Sequence, residues 1–167
     1  MEPWRRIDTA GADDARGLLF TCCGSTRWVD AMLARRPFGS AKAMLEAAAG
    51  IWMGLGPDDW REAFSHHPKI GERKLDDVRF AGTGHLAARE QSGVAAATDD
   101  VREVLESLNR AYEARFGFIF IICATGLSAD RMIAALRARL TNDPGTELQI
   151  ASAEQARITA LRLAHLR

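Results

Sequence analysis

Apolar residues recur at intervals of three and four along most of the chain, the spacing that gathers them on one face of an α-helix. Ala41, Met44, Leu45, Ala48, Ile51, Trp52 and Leu55 form one such stripe; Val101, Val104, Leu105, Leu108, Ala111, Tyr112 and Phe116 form another. The second predicts a helix that starts at Thr98, places Asp99 and Asp100 at the positive end of its dipole, and stops at Gly117. Ser128 predicts a cap for a further helix carrying Met132, Ile133, Leu136 and Leu140 and ending near Asn142, before Pro144. A last helix carries Ile158, Leu161 and the leucines that follow. Upstream, Gly11 to Cys23 and Ser25 to Arg35 predict two short helices, the second closing before Pro37. Pro57 suits the first position of a helix running to about His67.

Only Phe118-Ile-Phe-Ile-Ile-Cys-Ala124 reads as strand. A single strand has no sheet to satisfy its backbone, and no other segment offers a partner. The expectation is therefore an all-α, single-domain helical bundle over residues 1–167, with one irregular or extended buried segment at about 118–124. Lys69 to Gly84, with Gly71, Gly82 and Gly84, is the one long loop, and long loops in compact domains are often functional.

Composition narrows the function classes. With 22 basic and 22 acidic residues the formal net charge is zero, and no basic face favours nucleic acid. The chain has three cysteines, of which Cys22 and Cys23 are adjacent and Cys123 lies in an apolar run, so neither a disulfide framework nor a four-ligand zinc spacing is expected. No signal core, membrane-length apolar run or C-terminal peroxisomal address is present, which makes a cytoplasmic protein the expectation.

Three polar residues interrupt apolar faces. Trp60, Ala63 and Phe64 define the inward side of the helix after Pro57, and His67 continues it while His66 turns about 100° away. Glu90 falls between Leu86 and Val94, and Arg162 falls beside Ile158 and Leu161. Burying any of these alone is costly. An inward histidine is more often a hydrogen-bonded structural residue, and Glu90 and Arg162 could form a structural ion pair. Three together, with a glycine-rich loop between two of them, point instead to a pocket.

At these residues the sequence resembles a known family. His67-Pro68-Lys69-Ile70-Gly71-Glu72 resembles the His-Pro-x-Ile-Gly-Glu motif of the 2-oxo-4-hydroxy-4-carboxy-5-ureidoimidazoline (OHCU) decarboxylases. Glu90-Gln91 matches the end of the family's Ser-x-x-Glu-Gln motif, although Ala87 stands where the family has Ser. Asn109 with Tyr112-Glu113-Ala114-Arg115-Phe116-Gly117-Phe118, Ile158-Thr-Ala-Leu-Arg162-Leu163 and Arg36-Pro37-Phe38 extend the likeness over nearly the whole chain.

The resemblance implies an all-α bundle, usually a homodimer, that converts OHCU to (S)-allantoin in urate breakdown without a metal or organic cofactor. It implies that His67 is the catalytic acid/base and that Pro68 lies beside the substrate. Glu90 and Gln91 would hold the ureido and ring groups, with Ala87 at the position of a substrate-facing hydroxyl. The backbone of Phe120, Ile121, Ile122, Cys123 and Ala124 would hydrogen-bond the substrate, and Arg162 would pair with an anionic part of it. Glu90 either tunes His67 or binds substrate donors. The rival readings are a decarboxylase of a related ureido acid, motivated by Ala87, and a non-catalytic helical interaction module. A metal-dependent hydrolase is weakest, since the adjacent His66 and His67 lack HxH or HxxxH spacing.

Overall fold

The helices begin where the sequence supplies side chains for the unpaired amides of a first turn. In a computed structural model that describes residues 1–72 and 82–167, Ser25 accepts from the Trp28 amide at the start of α3 (Thr26–Ala34), and Ser40 from Ala43 at the start of α4 (Ala41–Met53). Thr98 and Ser128 do the same for α7 (Asp99–Phe116) and α8 (Ala129–Arg139). Gly117 closes α7 in the left-handed region at φ 78°, where a side chain would be strained. The remaining elements are α1 (Pro3–Thr9), α2 (Ala12–Cys22), α5 (Pro57–Ser65), α6 (Gly84–Glu90), a 3-10 turn at Ser92–Val94, and α9 (Pro144–Ala164). Among the described residues there are nine α-helices and no strand, which bears out the all-α expectation. None of these helices is long and apolar enough to cross a membrane.

The chain divides into two compact units, Met1–Ala63 with Gln155–Arg167, and Phe64–Glu154. In the first, Ile7, Leu19, Trp28, Met32, Met44 and Leu163 are fully or almost fully buried. Trp28 carries its indole N–H into this core and donates it to the Ala48 carbonyl at 3.1 Å. The Arg36-Pro37-Phe38 stretch is tied to the end of α1: Arg36 Nη2 donates to the Asp8 and Ala10 carbonyls, and the Asp8 carboxylate accepts from the Phe38 and Gly39 amides.

In the second unit, α7 presents Leu105, Asn109, Tyr112 and Phe116 as its buried face, at spacings of four and three. Val101, Val104 and Leu108 of the predicted stripe are half-buried, and Ala111 faces solvent. Tyr112 gathers an aromatic cluster, with ring centroids 4.7 Å from Phe116, 5.8 Å from Phe118 and 5.3 Å from Phe120. Residues 118–124 run through this core without regular structure, as expected of a strand-like sequence with no partner.

Three expectations are corrected. The helix opened by Pro57 stops at Ser65, so His66 and His67 lie in a turn. Pro68 is the reason, because its ring disfavours helical backbone at the preceding residue. The buried face of α6 carries Gly84 and Ala87, leaving Leu86 and Glu90 half-buried. The last helix begins at Pro144, where proline pre-sets the backbone of a first turn and Asp143 accepts from the Thr146 amide at 3.0 Å. On that helix Leu161 is 39% exposed while Ile158 and Arg162 are buried. The centre of the expected 69–84 loop, residues 73–81, lies outside the described residues.

Candidate functional site

The turn after α5 is built by proline at one end and glycine at the other. His67 closes it by donating its amide to the Phe64 carbonyl at 3.1 Å, and Pro68 and Ile70 are buried beneath. Gly71 adopts φ +80°, a conformation that L side chains rarely take, and a Cβ there would sit 3.4 Å from Leu105 Cδ1. His66 and His67 are both half-buried, so burial does not separate them.

One face of α7 holds this turn. Asn109 Nδ2 donates to the Ile70 carbonyl at 2.9 Å, Arg102 Nη1 to the Gly71 carbonyl at 3.4 Å, and Lys69 Nζ lies 2.7 Å from Glu113 Oε2. Residues 102, 109 and 113 are seven and four apart, a spacing that places them on one side of a helix. Gln91 also reaches the turn, its Oε1 accepting from the Gly71 amide at 2.9 Å. That bond uses the oxygen of the side-chain amide. Glu90 is half-buried at the end of α6, and Ala87, one turn earlier, is 2% exposed.

The second component is the irregular segment. Phe120, Ile121, Ile122 and Ala124 are buried and Cys123 is half-buried. Buried backbone outside a helix or sheet must find other partners, and here side chains supply them. Arg139 Nη1 donates to the Ile121 carbonyl at 2.7 Å, and the Cys123 amide donates to Glu154 Oε2 at 3.0 Å. Arg139 itself is held by Glu147, which is fully buried and accepts from Arg139 Nε at 2.7 Å and from the Tyr112 hydroxyl at 2.5 Å. Arg139 Nη2 also lies 2.6 Å from the same oxygen, at an angle that makes it an ion-pair contact rather than a hydrogen bond. Burial, with the adjoining carboxylate, pushes the Tyr112 hydroxyl well above its ordinary value and keeps it a donor.

Arg162 stands in the other unit, 8% exposed, with Nη1 donating to the Thr21 carbonyl at 3.0 Å. Beside it, burial pushes the Cys23 thiol up to about 12, against the opposing pull of the Ser25 backbone, the Thr159 hydroxyl and the Arg162 charge. Cys23 is thus a neutral core residue at physiological pH.

Sequence reasoning gave no site role to Arg102, Asn109, Arg139, Glu147 or Glu154, although Asn109 belongs to a motif that carries the resemblance. For Asn109 a signal is available in the sequence, because it interrupts the Leu105–Tyr112 face of α7. Arg139 gave none. A basic residue in the last turn of a helix reads as a favourable dipole partner in solvent, and only the packed structure shows it buried.

Taken together, the geometry defines an all-helical protein that presents a His-Pro turn and a sheetless backbone segment from one supporting helix. Residues 8–164 match the profile of the OHCU decarboxylases. The chain belongs to the OHCU decarboxylase family. It is 36% identical over 146 residues to the uric acid degradation bifunctional protein TTL of Arabidopsis thaliana, covering 87% of this chain and 45% of that protein. The chain therefore spans less than half the length of that relative. It is 32% identical to the OHCU decarboxylase of Amia calva, over 77% of this chain and 73% of that one. A crystal structure of an OHCU decarboxylase in the presence of (S)-allantoin superposes with a TM-score of 0.78 at 34% identity, covering 90% of this chain and 96% of the other.

Proposed function

We propose that this chain decarboxylates OHCU to (S)-allantoin, with His67 as the proton donor. The observation that carries this reading is the His67–Glu72 turn, whose Ile70 and Gly71 backbone is fixed by Asn109, Arg102 and Gln91 while the histidine side chain remains half-buried. A reacting group must be both held and reachable, and a half-buried histidine on a fixed turn supports that role.

In the reaction the substrate carboxylate leaves as CO2, and the electron pair of the broken C–C bond passes into the ring carbonyl and imine. His67 in its protonated form then delivers a proton to the neighbouring ring carbon that bears the ureido group, the hydroxyl on the carbon that lost CO2 gives up its proton to become a ring carbonyl, and solvent supplies the one net proton taken up. Histidine suits this because both of its forms are available near neutral pH. A proton donor fixed on one face gives one enantiomer. Glu90 orients His67 or accepts from substrate N–H groups, the Nε2 end of Gln91 donates to the ring, and Arg162 pairs with an anionic group. Pro68 and Ala87 pack against the substrate, and the backbone of residues 120–124 binds its polar edge. This reading needs no metal or organic cofactor. It includes one domain over residues 1–167, in keeping with a family match that runs through both compact units, a homodimeric assembly and a cytoplasmic location.

A second reading, a decarboxylase of a related ureido acid, draws on Ala87, which buries a methyl group where the family has a hydroxyl. The test uses OHCU generated in situ from urate and chiral analysis of the product. Wild type gives (S)-allantoin in excess over the uncatalysed reaction, and His67→Asn loses both rate and enantiomeric excess. A His67→Asn protein that still gives enantiopure product at the wild-type rate sinks the assignment. Wild type inactive on OHCU but active on a related acid favours the second reading.

A further inference from the structure

Arg139 and Glu147 form an ion pair in the core of their unit, at 8% and 0% exposure. Such pairs are poor sources of stability, because taking both charges out of water costs about as much as their attraction returns, and apolar replacements are often neutral or stabilising. Something other than stability must account for this one. Its geometry indicates what. Glu147 occupies the Nε edge of the guanidinium, and Asn142 Nδ2 holds the second carboxylate oxygen at 2.9 Å. The remaining edge is aimed at the irregular segment: Nη1 donates to the Ile121 carbonyl, and the guanidinium carbon stands 4.4 Å from the Phe120 ring centroid. A planar fork fixed along one edge fixes what lies on the other. The contact thus sets a side chain and a carbonyl at adjacent residues of a segment that has no sheet to hold it.

We propose that Arg139, oriented by Glu147, is a positioning residue for substrate binding, which fixes the Phe120–Ala124 backbone at the place where substrate docks. The proposal rests on the reading above that this segment contacts substrate. Arg139 touches no reacting atom, so its loss weakens binding more than it slows the chemistry.

Two variants test it. The double variant Arg139→Met with Glu147→Met removes both charges and strands neither, and Arg139→Lys keeps the charge but loses the fork. KM and kcat on OHCU formed in situ are measured together with the dissociation constant for (S)-allantoin by calorimetry. Amide spectra of residues 120–124 in wild-type protein are followed as allantoin is added. The expected result is a folded double variant with KM and the allantoin dissociation constant each raised about tenfold, kcat changed much less, and Arg139→Lys in between. A folded double variant with wild-type KM and allantoin affinity overturns the proposal, whatever its melting temperature, as does a fall in kcat with KM unchanged. If the double variant does not fold, Arg139→Lys decides by the same two constants. Wild-type amides of 120–124 that do not respond to saturating allantoin overturn the site reading, and the positioning role with it. Amides that respond, with variants that bind normally, overturn the positioning role alone.

Discussion

Gly93 offers a sharp test of how the segment carrying Glu90 and Gln91 is packed. It lies in the 3-10 turn directly after them, and a Cβ added there would fall 2.0 Å from the Leu127 carbonyl oxygen and 3.0 Å from the Leu127 carbonyl carbon. An ordinary C···O approach is about 3.3 Å, so the overlap exceeds about 1 Å and the obstacle is backbone rather than a mobile side chain. Leu127 precedes Ser128, the residue that caps α8, so yielding there disturbs a helix start. Overpacking of this kind costs about 1–3 kcal/mol, and the backbone obstacle places Gly93→Ala at the upper end. At about 2–4 °C per kcal/mol for a chain of this size, the melting temperature should fall by roughly 4–12 °C. The control is Gly50→Ala, inside α4 with nothing within 4 Å of the new methyl group. There alanine's helix preference should add about 0.5–1 kcal/mol. Circular-dichroism melts of both variants beside wild type suffice. A Gly93→Ala protein that melts at or above wild type refutes the reasoning, because the turn cannot then be seated against Leu127 as described.

Other perturbations have equally definite outcomes. Ala87→Ser places a hydroxyl at a 2% exposed position one turn before Glu90; steady-state assay on OHCU should give a KM lowered several-fold, since a substrate-facing hydrogen bond is worth about 0.5–1.5 kcal/mol, and an unchanged or raised KM removes Ala87 from the site. Alkaline pH should destabilise the fold through Cys23. Burial raises its thiol from an ordinary 9.0 to about 12 on folding, so the folded state binds the proton more tightly. The contribution is intact below about pH 9 and is lost as pH rises towards 12, at up to about 1.4 kcal/mol per pH unit. Urea titrations at pH 8, 9 and 10 should show the decline steepen above 9, and Cys23→Ala should flatten it.

Much of the fold was legible because helix ends are chemically explicit. Thr98, Ser128 and Gly117 each predicted a boundary and each makes the expected cap. Pro144 was ambiguous, since proline both follows helices and opens them, and only its position after the Asp143 cap decides between the two. Helical phase misplaced Glu90 and Leu161 because α6 is seven residues long and the buried face of α9 is shared by polar groups, among them Glu147, Gln155 and Thr159, which an apolar stripe does not mark. The candidate site was legible as far as motifs reach. His67, Pro68 and Gln91 were named from sequence, but the bond from Gly71 to Gln91 joins residues 20 apart through a glycine conformation that no periodicity encodes. Arg139 and Glu147 were invisible for a similar reason, because a charged residue announces neither its burial nor its partner.

The buried face of α7 has a consequence for how the two parts of the site are registered. Asn109 grips the histidine turn and Tyr112, three residues on, packs the aromatic ladder that carries Phe118 and Phe120. The distance between these two anchor points is set by the pitch of one helix and not by any adaptable loop. A single residue inserted between them would leave each anchor chemically intact and rotate one against the other by about 100°. Under the proposed function, substitutions on the turn or along the segment would reshape what is bound, whereas a change of length in α7 between its two grips would put the two parts out of register.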